Sequence, residues 1–308
     1  MAITTVFLTT VGTNNWTVPA DWHNGQPNSV EVIGAGGKGG QSTNGSSSPG
    51  GGGGGYGKKN NLTLTPGASI SYTIAAGNSG NDSYFNGASL SAAPVGATAG
   101  SNGTAGATSQ SGASGGTGKG DVTYTGGRGA DASGSPGSGG GGGGAAGLNG
   151  NGSAASGLTG GSGDNGNGGG GGGAGGNGAS GTEYSSSPTY GSGGGGGSTS
   201  TGAVSGNGGL YGAAGGGSRD GGGGNEAGSG TQALIVITYT SQVAYSLSVL
   251  TGAFAVTAHN AIVSKVKTMI VNTGVFIVSR FPASLKKTLG WKTQSKSSST
   301  NWTPQQKS

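Results

Sequence analysis

The order of apolar and polar positions divides the chain into strand-bearing stretches and a long middle with few apolar side chains. Thr4–Thr9 is β-branched and apolar, and Asn15–Val18 and Ser29–Ile33 have a similar character. Turn residues at Asn24-Gly25 and Pro27-Asn28 separate these runs, so residues 1–33 are expected to form short strands. Leu62 and Leu64 then alternate with polar residues, Pro66-Gly67 follows, and Ile70, Tyr72 and Ile74 alternate in the same way. This predicts a hairpin over 61–75, because proline presets one turn φ and glycine permits a positive one. The strongest strand pattern lies at 233–240, in Leu234-Ile-Val-Ile-Thr-Tyr239. It is expected to pair with strands from residues 1–75 and to close everything between into one unit. No stretch carries a convincing helical period. Thr268–Val278, among the most apolar stretches, is well short of the ~20 residues a membrane helix needs.

Between the strand patterns, over 34–232, glycine replaces the apolar side chains. The chain has 308 residues, of which 80 are glycine and only 9 proline, with 7% charged and 30% hydrophobic. Average soluble domains run at about 25% and 45–50% for the last two. One large oily core is therefore excluded, and something other than side-chain burial must order the middle if it is ordered. Unbroken glycine runs stand at Gly50–Gly55, Gly139–Gly144, Gly168–Gly173 and Gly193–Gly197, with shorter ones at Gly215–Gly217 and Gly221–Gly224.

Three structures compete for such a block. A flexible linker is the usual fate of Gly/Ser-rich sequence. A collagen helix requires glycine at every third residue and abundant proline, and neither is present. The third is a bundle of polyglycine II helices, extended and left-handed, with three residues per turn and a rise of ~3.1 Å. One such helix has no internal hydrogen bonds, but packed side by side its amides bond to neighbours. A helix surrounded on every side needs glycine on all three faces and gives an unbroken run. One at the edge tolerates side chains and gives mixed Gly-Asn-Gly or Gly-Ser-Gly. Both kinds occur, and several runs have similar length, which favours the bundle. The fold class expected is mainly β with little or no helix: a short-strand β unit enclosing a polyglycine II bundle, followed by small C-terminal β repeats.

Past residue 240 the character changes. Over 241–290, Thr251-Gly-Ala-Phe-Ala-Val-Thr matches Thr273-Gly-Val-Phe-Ile-Val-Ser at a spacing of 22, which suggests a repeated β unit. Over 291–308, Trp291-x-x-Gln-x-Lys296-Ser matches Trp302-x-x-Gln-x-Lys307-Ser at a spacing of 11. Charge divides in the same place. Eight bases and no acid follow Glu226, whereas six bases and nine acids lie in residues 1–226, within a net charge of +5. Spread along strands, those bases suit docking on an acidic protein surface better than phosphate neutralisation, so nucleic acid is a minor expectation. Trp291, Lys296, Trp302 and Lys307 are the candidate docking residues, since tryptophan in a polar tail is typical of binding hot spots.

Candidate chemistry adds little. Gly34-x-Gly36-x-x-Gly39 follows a strand pattern, but neither a helix nor an acid about 20 residues on completes a dinucleotide fingerprint. Gly118-Lys119-Gly120 lacks the Ser or Thr and the glycine spacing of a P-loop. The histidines, His23 and His259, each stand alone, cysteine is absent, and no close acid pair suggests acid–base work. No enzyme activity, metal or cofactor is expected. The start of the chain lacks the basic and apolar regions of a signal peptide, so synthesis in a cytoplasm without membrane insertion is expected.

Trp16-Thr-Val-Pro-Ala-Asp-Trp22, Val30-Glu-Val-Ile-Gly-Ala-Gly-Gly, Leu62-Thr-Leu-Thr-Pro-Gly-Ala-Ser-Ile-Ser-Tyr-Thr-Ile, Tyr84-Phe-Asn-Gly, Gly209-Leu-Tyr-Gly and Leu234-Ile-Val-Ile-Thr-Tyr together resemble Gly-rich domain proteins of tailed bacteriophages, in order and spacing, over about residues 1–240. The two C-terminal repeats look like short modules at the ends of phage tail and virion proteins. The resemblance implies a virion structural protein: a tail fibre, spike or minor tail protein, a capsid-bound head fibre or decoration, or an adhesin with a polyglycine II domain whose loops bind the host surface. Its implied partners are other virion proteins through 241–308, and a host glycan or outer-membrane protein. A homo-oligomer is expected, with a trimer favoured. Candidate loops are Gln41–Ser48, Ser101–Ser114 and Glu183–Tyr190. Tyr184 and Tyr190 are candidate receptor contacts, because tyrosine in Ser/Gly loops contributes contact area at low entropic cost. Packing along the bundle edge is the equal alternative for both.

Overall fold

The strongest strand pattern is apolar on both of its faces, and this sets the layers of the fold. The computed structural model describes residues 2–42, 46–105, 110–133, 137–200, 203–219 and 226–241, with 253–254 and 275–276. The strands are β1 (Ile3–Leu8), β2 (Gly12–Thr17), β3 (Asn28–Ile33), β4 (Tyr56–Asn60), β5 (Ser69–Ile74), β6 (Ser83–Phe85), β7 (Val95–Ala97), β8 (Gly118–Lys119), β9 (Val122–Tyr124), β10 (Ser185–Ser186), β11 (Thr189–Tyr190), β12 (Leu234–Thr240), β13 (Ala253–Phe254) and β14 (Val275–Phe276). No helix occurs among the described residues. The chain divides into two units, Met1–Val243 and Ala244–Ser308.

In the first unit, one antiparallel sheet has the order β1-β12-β3-β4-β9 and a second has the order β2-β5-β6-β7-β8. The expected closure is present: Leu234 to Tyr239 pair with Ile33 to Asn28 on one side, and Thr240 to Ile235 pair with Ile3 to Leu8 on the other. Side chains of β12 alternate between two buried clusters. Ile235, Ile237 and Tyr239 join Val30, Val32, Ile74, Phe85 and Val95 between the two sheets. Leu234 and Val236 face the other way, with Ile33, Tyr56, Ala145, Ala146 and Tyr211. Successive strand residues point to opposite faces, so a strand buried on both sides is apolar throughout. Each such side chain contributes about 1.5–3 kcal/mol of burial.

The hairpin expected over 61–75 is replaced by something else. Residues 61–65 are not a strand, and β5 pairs with β2 and β6 instead. The Leu62 and Leu64 side chains are buried, but their amides donate to the side-chain oxygens of Asn28 and Asn24, at 2.8 and 2.9 Å. Two asparagines of the preceding loop thus replace a partner strand. The turn itself is present, with Gly67 at φ +80° and Ala68 N donating to Thr65 O.

The described residues of the glycine block form an ordered array, and the run Gly221–Gly224 lies outside them. From Gly50 to Gly55, successive amides donate to Ala130, Gly215, Ser101, Gly127, Gly212 and Thr98, at 2.8–3.2 Å. Residues three apart therefore address the same neighbour, as a threefold extended helix requires. The carbonyls of the same run accept from three further neighbours: from Ala113 and Gly116, from Gly143 and Ala146, and from Gly34 and Gly37. Six segments surround this one, and around it rows of donors alternate with rows of acceptors. A Cβ placed on any glycine of the run would sit inside backbone atoms of a neighbour, such as Gly144 O for Gly53 and Gly34 O for Gly54. The segments at 137–146, 192–200 and 212–219 are bonded to neighbours on every side in the same manner. This main-chain network is what offsets the high entropic cost of ordering glycine.

At the rim the period of three becomes visible in exposure. Ser111, Ser114 and Thr117 are exposed, as are Thr125, Arg128 and Asp131, and Val204, Asn207 and Leu210. Asparagine completes bonds that the array leaves open there. Asn102, Asn151, Asn177 and Asn207 accept from the amides of Lys38, Thr125, Asn207 and Ser229, at 2.7–2.8 Å. The run Gly168–Gly173 departs from the expected rule. Its glycines are unbroken, yet it lies on the rim, and a Cβ on Gly170 or Gly173 would meet nothing within 4 Å.

In the second unit, β13 and β14 are parallel, with Ala253 opposite Val275 and Phe254 opposite Phe276. These are the repeat-equivalent residues, so the spacing of 22 seen in sequence is also the register of backbone pairing. The rest of that unit, including the basic and tryptophan repeats, lies outside the described residues.

Candidate functional site

Strands and array segments are single continuous runs of chain: β3 leads into 34–42, β7 into 98–105, β9 into 125–133, and 226–233 leads into β12. The array therefore has one end against the sheets and one end away from them. Hydrogen-bond register shows what gathers at each.

At the end away from the sheets stand Ser42 and Ser46, Ala105 and Gln110, Ser133 and Gly137, Ser200 and Ala203, and Arg219 and Glu226. They are level with one another through bonds such as Ala132 N to Gln110 O, Ser48 N to Ser218 O and Ser205 N to Glu226 O. Each pair ends two array segments, and the residues between its members lie outside those described. The described residues of two of the three candidate loops, Gln41–Ser48 and Ser101–Ser114, lead to this end. Serines close the surrounded segments here: Ser42 and Ser218 pair through their hydroxyls at 3.0 Å, and Ser205 Oγ donates to Gly217 O at 2.8 Å.

The third candidate loop, Glu183–Tyr190, stands at the opposite end, against the sheet. It forms the two-stranded hairpin β10–β11, in which Ser185 pairs with Tyr190 and Ser186 with Thr189. Tyr184 donates its hydroxyl to Glu31 Oε2 at 2.6 Å, and its ring meets Phe7 edge-on at 6.4 Å. Tyr190 stacks on Phe7 with centroids 3.9 Å apart, and on Tyr211 at 6.0 Å. Both tyrosines are half-buried and turned onto the protein, while Ser186, Ser187 and Pro188 are exposed at the tip. The other four candidate residues, Trp291, Lys296, Trp302 and Lys307, lie outside the described residues.

Two carboxylate centres hold this hairpin, and neither stands out in the sequence as a site. Glu31 is buried on the array-facing side of β3 and accepts from Tyr56 Oη at 2.7 Å as well as from Tyr184, with Lys58 Nζ at 3.0 Å. Burial, and next the adjacent Glu31 charge, push both tyrosine hydroxyls far above their ordinary range. A charge alternating with Val30, Val32 and Ile33 was the available signal: an acid on an otherwise apolar strand needs hydrogen-bond partners. The second centre joins Glu183, Asp164 and Ser192. Glu183 Oε1 accepts from Ser192 N and Ser192 Oγ, while Asp164 N donates to Ser192 Oγ at 3.0 Å. Asp164 is buried and accepts from Asn149 N and Gly166 N. Glu183 Oε2 is buried without a partner. Burial chiefly, with a smaller contribution from Asp164, raises the Glu183 carboxyl above its ordinary value.

The motifs set aside in the sequence occupy structural places. Gly36 and Gly39 pack against the carbonyls of Ala213 and Gly216, and an extended segment follows β3 where a dinucleotide site has an α-helix. Lys119 Nζ donates to the carbonyls of Leu90 and Ser91. Among the described residues no group of three or more His, Cys, Asp or Glu converges as metal ligands, and no helix is long and apolar enough to cross a membrane. No protein-family model and no curated protein sequence matches this chain.

Proposed function

We propose that the protein is a non-enzymatic structural component of a bacteriophage virion, of the tail fibre, spike or minor tail type, held to the particle through its basic C-terminal region. The observation that carries this reading is polarity. Ser241, the last described residue of the first unit, donates its amide to Ala2 O at 2.9 Å, at the outer end of β1 and β12. The loop-bearing end of the array lies at the other extreme of the same continuous runs. A rigid main-chain array between an attachment end and a loop end suits a projecting part. The deletion of residues 241–308 tests it: particles should lose the protein, and its retention would remove the anchoring claim. Immunogold labelling of particles with antibody against residues 101–230 then locates it on tail or head.

The second reading is a receptor-binding adhesin, and the gathering of Gln41–Ser48 and Ser101–Ser114 at one end favours it. Loops on a rigid scaffold are a common arrangement for recognition. Exchange of these two loops should change adsorption and host range, whereas exchange of 183–190 should chiefly affect stability. Unchanged adsorption after both loop exchanges would rule the adhesin reading out.

A further inference from the structure

We propose that the open edge of β1 is a strand-acceptor site, at which one extended segment of another virion protein adds to the sheet β1-β12-β3-β4-β9. The source of that segment rests on the virion reading above, whereas the site follows from backbone register. Ser241 N donates to Ala2 O at 2.9 Å, and Thr240 N donates to Pro27 O at 3.2 Å. Along an antiparallel strand, residues that bond to one neighbour alternate with residues that point away from it. Ala2, Thr4, Val6 and Leu8 therefore bond to β12, and Ile3, Thr5 and Phe7 turn their amides and carbonyls outward. None of these six groups has a hydrogen-bond partner among the described residues. Open edges are normally blunted by lysine, proline or a bulge. β1 has none of these: its register with β12 is continuous, and residues 1–20 contain no charged side chain. Apolar surface accompanies the edge. Ile3 is 76% exposed, and Val6 and Trp16, on the edge strands of the two sheets, are only half-buried against the core between them. β2 is the less open edge, since it begins at Gly12 with φ +97° and Asn14 Nδ2 donates back to the carbonyls of Thr10 and Gly12.

The occupant follows from the same geometry. Donors and acceptors alternating along a straight edge fit another strand. A second copy is the poorer occupant. Two copies of β1 set parallel at equal height present their outward groups level, where parallel pairing needs them staggered by one residue. Set antiparallel, they bond, but the loop ends of the two arrays then point in opposite directions, against the one-ended polarity of a projecting part. The added strand therefore belongs to another protein, and what β1 offers defines its chemistry. It is uncharged, like the edge it joins, and has no proline opposite Ile3, Thr5 or Phe7, where both of its main-chain groups must bond. Apolar side chains stand opposite Ile3, Thr4 and Val6, and a small residue stands opposite Phe7, whose ring Tyr190 already covers.

Hydrogen exchange and a peptide probe test the proposal. In the isolated full chain the amides of Ile3, Thr5 and Phe7 should exchange quickly, and those of Thr4 and Val6 slowly. In purified particles the first three should slow at least tenfold. The peptide Ser-Gly-Val-Thr-Val-Ile-Ser, written to the pattern above, should shift the same three amide resonances of the full chain with a submillimolar Kd. Thr5→Pro removes an outward donor and no bond to β12, so it should weaken peptide binding at least tenfold with an unchanged thermal melt. Thr5→Lys should do the same and serves if proline unsettles the strand. Slow exchange of the three amides in the isolated chain would overturn the proposal, because the edge would then be covered by the chain itself or by a second copy. So would a peptide that does not bind, or one that binds both variants as well as wild type. If particles contain the protein and its three amides exchange there as fast as in the isolated chain, the virion reading stands and this proposal fails. If the peptide binds as expected and particles lack the protein, the acceptor site stands and its virion source falls with the virion reading.

Discussion

Tyr184 and Glu31, 153 residues apart in sequence, are joined by a 2.6 Å hydrogen bond between a hairpin of the glycine array and the central strand of a sheet. Glu31 also holds Tyr56 and Lys58, so the carboxylate is the point at which array and sheet share one polar network. Hydrogen bonds to a charged group contribute about 1.5–3 kcal/mol. Tyr184→Phe should therefore lower stability by about that amount in urea denaturation, while Tyr190→Phe, whose ring stacking survives, should change it by less than about 0.5 kcal/mol. Glu31→Ala should cost more than Tyr184→Phe, because it leaves two buried hydroxyls and a lysine without their acceptor.

Substitution of one surrounded glycine separates an array from a linker. Gly53→Ala puts a methyl group into Gly144 O, and the backbone there cannot give way without losing bonds to several neighbours. The variant should fail to fold or lose several kcal/mol, beyond the usual range of about 0.5–3 kcal/mol for single substitutions. Ser114→Ala, at an exposed rim position, should stay within about 0.5 kcal/mol of wild type. Thermal melts of the two variants make the comparison, and equal melts would argue for a linker.

Hydrogen exchange tests the same network without mutation. The amides of Gly50–Gly55, Gly139–Gly144 and Gly193–Gly197 should be among the slowest in the protein, exchanging only on global opening. Glycine in a solvated linker exchanges within seconds, so fast exchange in these runs would contradict the array.

The Glu183 centre predicts a pH dependence of definite sign. Its carboxyl is raised in the folded state, so the folded protein binds the proton more tightly than the unfolded chain does. Stability should be greatest below the ordinary carboxyl range and should fall as pH rises through the raised folded value. Glu183→Gln should remove this slope and be more stable than wild type at neutral pH. Denaturation midpoints from acid to neutral pH check it, and a slope of the opposite sign would show that Glu183 is held ionised.

Rim asparagines are predicted to matter despite their exposure. Asn207 accepts from Ser229 N, and its own amide donates to Asn177 Oδ1. Asn207→Ala should cost about 0.5–1.5 kcal/mol by removing one such bond, more than truncation of a neighbouring rim serine with no comparable bond.

Much of the fold was legible because its signals are local. The apolar run Leu234–Tyr239 named the closing strand, and the unbroken runs Gly50–Gly55, Gly139–Gly144 and Gly193–Gly197 named segments with no room for a side chain. Threefold geometry follows from the backbone of a Cβ-free chain, so Gly50–Gly55 carried its own diagnosis. Most strands of the second sheet were not legible. β6, β7 and β8 are two or three residues long, and their apolar residues are too few to set a period. The hairpin reading of 61–65 failed because asparagine side chains, Asn24 and Asn28, took the place of a strand partner, and periodicity does not record which group satisfies an amide.

What the sequence determined by itself is composition and period: which residues have no side chain, which alternate, and where charge changes sign. It thereby determined that the middle of the chain orders through main-chain bonds if it orders at all. Tertiary structure alone decided which segments are surrounded and which lie on the rim, as the exposed run Gly168–Gly173 shows. It also decided that Glu31 meets Tyr184, and that two candidate loops share one end of the array while the third lies at the other. These are facts of neighbourhood. An inter-segment hydrogen bond joins residues of any separation, and glycine, identical at every position, carries no mark of which neighbour it will meet.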